Sequence, residues 1–549
     1  MTAWRLVAAS LAIVAAGALP GRAAPAASAS AGESIYLHGV LGSGAPLVGN
    51  REIAGTSTQG ADAACVNCHQ HSGLGSREGT FFIPPVTGDY LFQTHAHSGD
   101  DPLVPYVESM HGNRSAYTTA TLARAIREGV DSDGRALSPL MPRYALDDAD
   151  LAALTEYLQR LSVHRVAGVT SSELQLATIF TPDADPVKRG GVLDVLEHYM
   201  VEKNRFPLPP SPRMWSSGKT AYAKSMYMAN RRWRLHVWDL TGAASTWRAQ
   251  LEKHLHDEPV YAVLSGLGGS NWAPVHEFCE ERQIPCLFPN VEVPVEADRD
   301  FYDLYFSRGV LLEAGLIAKQ ILESAPDKRP HVVEQVYRRG DSGEPAAHKL
   351  AEQLKAAGIQ VRGRGLAPKE SSHGLHAALA DSAGADALVL WLRPADVAAL
   401  GAASVVRGSV YMSGLMAGLE DAPLPAAWRE RTHLTFPLDL PDRRGVRLDY
   451  PLGWFTLRRI PVVALQVQAD TYLACSILTE TMKYMADTIS REYLIEQLQD
   501  MVERRLVTGY YPHLVLAPNE RFASKGGYIA HFSGPEGRQL TADTSWLVP

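Results

Sequence analysis

The chain has only five cysteines in 549 residues, too few for a small secreted scaffold held together by disulfides. It also lacks a run of basic residues, and its net charge of −8 argues against a nucleic-acid partner. Neither G-x-G-x-x-G nor G-x-x-x-x-G-K-[ST] occurs, so a nucleotide-binding fold has no support. No H-E-x-x-H motif and no Ser-His-Asp order stands out, and the many acidic residues read as solvated helix faces. Beyond the first thirty residues no apolar stretch is long enough to cross a bilayer, which predicts a soluble mature chain.

The N-terminus does carry one short apolar run. Arg5 precedes Leu6 to Leu19, and small residues follow up to Ala27-Ser28-Ala29. This is the pattern of a secretory signal peptide spanning 1–29, cleaved after Ala29, with Ala23 and Ala24 as alternative sites, and it predicts a periplasmic protein. The remaining length is too great for one core and predicts two to four domains.

Two of the five cysteines stand in "AACVNCHQHSGLG", Ala63 to Gly75. A zinc site would need a second Cys or His pair at similar spacing, and Cys279, Cys286 and Cys475 do not provide one. A thioredoxin-type dithiol follows a strand, whereas Cys65 follows a Gly/Thr/Ser-rich loop. The remaining chemistry is C-x-x-C-H, in which both thiols add to haem vinyl groups and the histidine is an axial ligand. Cys65 and Cys68 are then the anchors of one covalent haem c and His69 the proximal ligand. His71 lies too near His69 to reach the opposite face of the ring and reads as a surface histidine. Cys279 and Cys286 in "FCEERQIPC" are candidates for a disulfide, a pairing that spacing leaves open, and Cys475 reads as a buried small hydrophobe.

In "DGRALSPLMPRYALDDADLAALTEYLQRLS", Leu151, Leu154, Leu158 and Leu161 repeat at three and four residues, giving a helix with one apolar face, capped by Asp147 or Asp148. From about Glu33 to Ser162 the chain resembles a class I cytochrome c. That resemblance implies Met141 of the Met-Pro loop as the distal iron ligand, with His95, His97, Met110 and His111 of the long Asp89–Tyr117 stretch as alternatives. It also implies a proline carbonyl in "IPPVTG" bonded to the proximal histidine, with Pro84 the better register and Pro85 the alternative.

After a small, polar linker at 163–172, short apolar runs alternate with amphipathic segments, as in "LQLATIF" with "VKRGGVLDVLEHYMVEKN" and "DALVLWL" with "PADVAALG". Strand-helix alternation predicts parallel sheets covered on both faces by helices. Across 173–549 these segments resemble a type 1 periplasmic binding protein of the branched-chain amino-acid receptor kind, with "RFPLPPSPRMWSSGKTAYAKSMYMANRRW" as an insertion. The expected fold is therefore multidomain, a small all-α cytochrome c domain at 33–162 followed by a two-lobed α/β binding fold. The resemblance implies two lobes joined by three crossovers, with a ligand in the cleft at the C-terminal strand ends. The expected lining runs over Ser265 to Asn271, Asn290, Tyr337 to Ser342 and Trp391 to Arg393. Within these, Ser265, Gly266, Gly268, Ser270, Asn271, Asn290, Tyr337, Trp391 and Arg393 are the candidate ligand residues. Accessible N–H groups around Gly266, Gly268 and Gly269 suggest a seat for a ligand carboxylate.

The leading expectation is a periplasmic single-electron carrier whose fused module senses a metabolite or docks a redox partner, such as a dehydrogenase or another cytochrome. The alternative is the solute receptor of an ABC-type transporter with an accessory haem domain. A peroxidase-type enzyme fits least, because a methionine sixth ligand leaves the iron no open position.

Overall fold

The computed structural model describes residues 30–51, 55–78, 81–94, 114–161, 166–205, 231–297, 300–401, 408–429, 431–485, 489–534, 537 and 539–549. The signal peptide at 1–29, the alternative distal ligands His95, His97, Met110 and His111, residues 206–230 of the insertion and 163–165 of the linker lie outside them. The chain falls into two compact units: residues up to Asn67 with Ser115–Arg160, and Cys68–Arg114 with Leu161–Pro549.

In the first unit, Ser30 caps the helix Ala31–His38 by accepting from the Glu33 N–H, and Gly39 closes it in the left-handed region. This helix crosses Asp148–Arg160 at Gly32, where a Cβ would stand 2.1 Å from the Ala153 carbonyl oxygen, so only glycine permits the approach. Tyr36 and Tyr157 pack beside the crossing, their ring centroids 5.3 Å apart. Asp147 is the cap of the second helix, its Oδ1 accepting from the Asp150 N–H at 2.8 Å. Leu151, Leu154 and Leu158 turn inward together, the face that the leucine spacing predicts. Strands β1 (Val48–Asn50), β2 (Ser57–Gln59) and β5 (Arg143–Tyr144) form a small antiparallel sheet in the order β2-β1-β5.

The second unit contains β3 (Ser76–Glu78), paired with β4 (Phe81–Ile83), and two larger sheets. The first is built from β6 (Glu173–Phe180), β7 (Arg232–Asp239), β8 (Ala262–Leu264), β9 (Cys286–Leu287) and β10 (Asp303–Leu304), in the order β10-β9-β8-β6-β7. All of its pairings are parallel. The second comprises β11 (Val332–Arg338), β12 (Gln360–Leu366), β13 (Ala387–Trp391), β14 (Ser409–Ser413) and β15 (Thr432–Phe436), with β16 (Tyr528–Ser533) and β17 (Gln539–Ala542) added antiparallel at one edge. Read from its own first strand, each sheet has the doubly wound order 2-1-3-4-5 among its parallel strands. Central strands are continuous apolar runs because helices cover both faces; "ALVLW" of β13 is buried at every position.

The chain passes between the lobes three times. It leaves the first sheet after β10 and returns after β15. The helices Leu465–Tyr484 and Arg491–Glu503 then pack with the first lobe before β16 rejoins the second sheet. The second unit is thus a two-lobed α/β body in which each lobe is a doubly wound sheet covered by helices.

Two features bear on the expected boundary at 163–172. The described part of the linker, 166–172, is tied down rather than open: the Gln175 N–H donates to the Gly168 carbonyl at 2.7 Å and Arg231 Nε to the Thr170 carbonyl at 2.7 Å. The boundary is also not linear, because Cys68–Arg114 belongs with the C-terminal unit. Its backbone donors and rings find their partners there, as the next section describes.

Candidate functional site

His69 closes the short helix Val66–His69, and the chain then reverses through Gln70 at φ 65° and Gly73 at φ 72°. Gly75, at φ 78°, lets this loop pass against the next segment. A Cβ there would lie 2.0 Å from the Ile83 carbonyl oxygen, and its N–H donates to the His69 carbonyl at 3.1 Å. The close approach sets Pro84 beside the histidine, with His69 Nδ1 at 3.0 Å from the Pro84 carbonyl oxygen. A carbonyl only accepts, so Nδ1 carries the proton and Nε2 keeps its lone pair for a metal. Burial lowers the imidazole's pKa and the Pro84 carbonyl opposes it; the balance keeps the ring neutral, the ligating form. Cys65 and Cys68 are half-buried, one on each side of the unit boundary.

The same loop is held from the C-terminal side. The Ser72 N–H and hydroxyl donate to the two carboxylate oxygens of Glu496 at 2.8 and 2.5 Å, and Leu74 joins a core of binding-fold residues. His71 stacks on Phe301, ring centroids 3.8 Å apart at 22°. The surface position expected for His71 is thereby corrected: it is a packing residue. Met141 lies in the other unit, where its N–H donates to the Ser138 carbonyl at 3.1 Å and its carbonyl accepts from Arg143 Nη1 at 2.6 Å. Within the second unit, Cys68 followed by a histidine whose tautomer leaves Nε2 free is a donor pair of the kind that fits a haem c. When bound, the haem supplies one-electron chemistry, and the chain's part is to hold and orient it.

Residues 57–162 match the cytochrome c family model.

The cytochrome c region thus covers the C-x-x-C-H loop and the Met-Pro loop. A comparison with curated proteins gives no match. Among solved structures, a leucine-binding protein from Thermotoga maritima is 12% identical, with TM-score 0.48, covering 68% of this chain and 99% of that one. A fatty acid ABC transporter substrate-binding protein from Thermomonospora curvata is 15% identical, with TM-score 0.48 over 70% and 95%. A solute-binding protein from R. palustris, in complex with benzoate, is 14% identical, with TM-score 0.49 over 69% and 97%.

Beyond the cytochrome c region, a cavity of about 800 Å³ opens at the strand ends between the two lobes of the second unit. Gly268, Ser270, Asn290 and Arg393 line it. Five other candidates are not among its lining residues: Ser265, Gly266, Asn271, Tyr337 and Trp391. Ser265 is buried behind the wall, bonded to Thr471 and Asn290, and Trp391 is a core residue whose indole N–H donates to Gln335 Oε1 at 2.9 Å. The carboxylate seat is corrected as well. Asp183 Oδ2 already accepts from the Ser270 N–H at 2.9 Å, and Thr181 Oγ1 accepts from the Gly269 N–H at 3.0 Å. The turn is filled by the chain's own acid, and a second carboxylate there meets repulsion.

Arg393 forks between the lobes. Its Nη1 and Nη2 donate to Glu292, on the segment after β9, at 2.8 and 2.6 Å, and its Nη2 and Nε donate to Asp341, after β11, at 2.6 and 3.0 Å. Burial works against both charges, but Arg393 still holds Glu292 below the ordinary glutamate range and is itself pushed up. Asp470 is among the lining residues; its Oδ1 is itself buried and has no hydrogen-bond partner among the described residues, while Oδ2 accepts from the Tyr511 hydroxyl at 3.2 Å. Burial raises its pKa to about 8, so it is a neutral acid at pH 7. Sequence reading missed Asp183, Glu292 and Asp470. Each lies on a loop or helix whose own spacing carries no sign of the cleft.

Proposed function

We propose that this is a periplasmic c-type cytochrome that carries single electrons on one covalent haem. Cys65 and Cys68 hold the porphyrin, His69 and Met141 are the axial ligands, and Pro84 orients His69. The observation that supports the reading best is the Pro84–His69 bond within a C-x-x-C-H loop, because it leaves one ring nitrogen committed and the other available. The two-lobed module binds a small polar molecule whose hydroxyl or ammonium meets Asp470, and closure is held by the Arg393 fork. The module reports on that molecule or docks a redox partner. The Ser72–Glu496 clasp favours this over a transporter receptor with an accessory haem, since it joins the haem loop to the binding lobe itself.

The test is a spectroelectrochemical titration of the full-length protein, matured in a host that attaches haem c. Amines, alcohols and polyols found by thermal-shift screening to bind the cleft are then added. A midpoint potential that moves with a bound ligand supports a sensing electron carrier. A reducible haem whose potential ignores every cleft ligand favours the transporter-receptor reading, and a chain that takes up no haem overturns both.

A further inference from the structure

Behind the first sheet, away from the cleft, a cluster of side chains has a composition that packing alone does not explain. Cys279 lies on the helix Ala273–Glu281, Cys286 begins β9, and Asp303 begins β10, directly opposite Cys286 in the parallel register. All three are buried, and their two sulfurs and a carboxylate oxygen lie within 4.8 Å of one another. Among the described residues neither oxygen of Asp303 has an N–H or O–H partner, its neighbours being the Cys286 thiol and Glu280, although the residue has no exposed surface. Such a carboxyl stays protonated in a dry core and ionises only where a cation stands beside it. Arg521 is the nearby buried cation, but its Nη1 is committed to the Phe301 carbonyl and no hydrogen bond joins it to Asp303.

One turn before Cys279 on the same helix is His276. Its Nδ1 is 3.6 Å from Asp303 Oδ1 and 3.0 Å from the Tyr305 hydroxyl, and its Nε2 is 3.1 Å from Asp300 Oδ2. If Nε2 donates to Asp300, Nδ1 faces the cluster with its lone pair, the arrangement in which a carboxylate orients a metal-bound imidazole. We propose that Cys279, Cys286 and Asp303 form a structural site for a tetrahedral divalent cation of the zinc type, with His276 as the fourth donor once its Nδ1 exchanges the Tyr305 hydroxyl for the ion. The ligands are those zinc takes, and four protein donors close the shell as structural sites do. Sulfurs on one zinc stand about 3.8 Å apart at a Zn–S distance of about 2.3 Å, so the two cysteines and Asp303 need only a small contraction, while His276 has to turn in from Tyr305. Burial first, then its neighbours, pushes the Cys286 thiol and the Asp303 carboxyl well up. Zinc takes cysteine as thiolate, so binding at this site releases protons. A Cys279–Cys286 disulfide is the competing state, and it would remove both sulfur donors.

The site would fasten helix, β9 and β10 into one piece beneath Phe301, the ring on which His71 stacks. This inference does not depend on the haem. The full-length protein is equilibrated with zinc, dialysed, and its metal-to-protein ratio is measured by elemental analysis. X-ray absorption at the zinc edge then reads the ligand shell. The expected result is one zinc per chain with sulfur scatterers, reduced at least tenfold in occupancy in Cys279→Ser. Should that variant fail to fold, Asp303→Asn keeps the volume and is expected to lose zinc affinity while still folding. No retained zinc, a shell of nitrogen and oxygen alone, or a Cys279–Cys286 disulfide found by alkylation without reduction would each overturn the proposal.

Discussion

The Ser72 N–H and hydroxyl close on the Glu496 carboxyl group at 2.8 and 2.5 Å, joining positions 424 residues apart. Burial raises Glu496 to about 8, against the pull of the Ser72 bonds. A raised carboxyl keeps its proton in the folded state where the unfolded chain has lost it. Its contribution is therefore complete below the ordinary glutamate pKa, declines as pH rises towards 8, and is gone above that. Each unit of difference is worth about 1.4 kcal/mol. In Glu496→Gln, which cannot ionise, the melting temperature relative to wild type should improve from pH 5 towards pH 8 and level off above it. A wild-type-minus-variant difference that is flat with pH would contradict this account of the clasp.

The Arg393 fork makes a prediction about shape. Arg393→Ala leaves Glu292 and Asp341 facing each other across the cleft without their shared cation. Because these side chains are 34% and 28% exposed for the Arg393–Glu292 pair, solvent screens part of the loss, and about 1–2 kcal/mol of closure free energy is expected to go. Small-angle scattering should show a larger radius of gyration than wild type at the same pH. Equal radii would mean that the lobes are held by other contacts.

Asp470 lines the cavity with one buried oxygen unpartnered among the described residues, and burial raises its pKa to about 8, so a ligand that reaches it meets a neutral acid below that pH and a carboxylate above it. A cationic ligand should bind more tightly as pH rises through 8, and Asp470→Asn should remove that dependence and weaken binding about tenfold, near 1.4 kcal/mol. Calorimetry at pH 6.5 and pH 9 checks both statements. Unchanged affinity in the variant would place the ligand elsewhere in the cleft.

Met141 is the candidate distal ligand from the Met-Pro loop. In the oxidised protein the weak near-infrared sulfur-to-iron band should be present and should vanish in Met141→Ala, with a lower midpoint potential. A band that survives the substitution would transfer the role to Met110.

Parts of this molecule that depend on short-range pattern were readable from sequence. Cys65, Cys68 and His69 are adjacent by chemistry and by number, Leu151 to Leu158 mark a helix face, and strand-helix alternation gives two parallel sheets. What escaped was long-range pairing of polar groups. Nothing local in "REYLIEQLQD" announces that Glu496 receives Ser72, and nothing near Asp183 announces that it fills the turn at Ser270. Glycines around 266–269 read equally as an anion seat or a turn, and the choice was made by a carboxylate 87 residues away. Trp391 shows the same limit: the strand end was placed well enough, but Trp391 points into the core while Arg393, two residues on, reaches the cleft.

The central claim is that Cys65, Cys68 and His69 hold one covalent haem, and the most direct measurement is the intact mass of the denatured, acid-washed protein from a host that matures c-type cytochromes. The account predicts a mass one haem above the processed polypeptide in wild type, and the polypeptide mass alone in the Cys65→Ala, Cys68→Ala double variant. A wild-type mass without haem, or a haem that stays attached in the double variant, would contradict it.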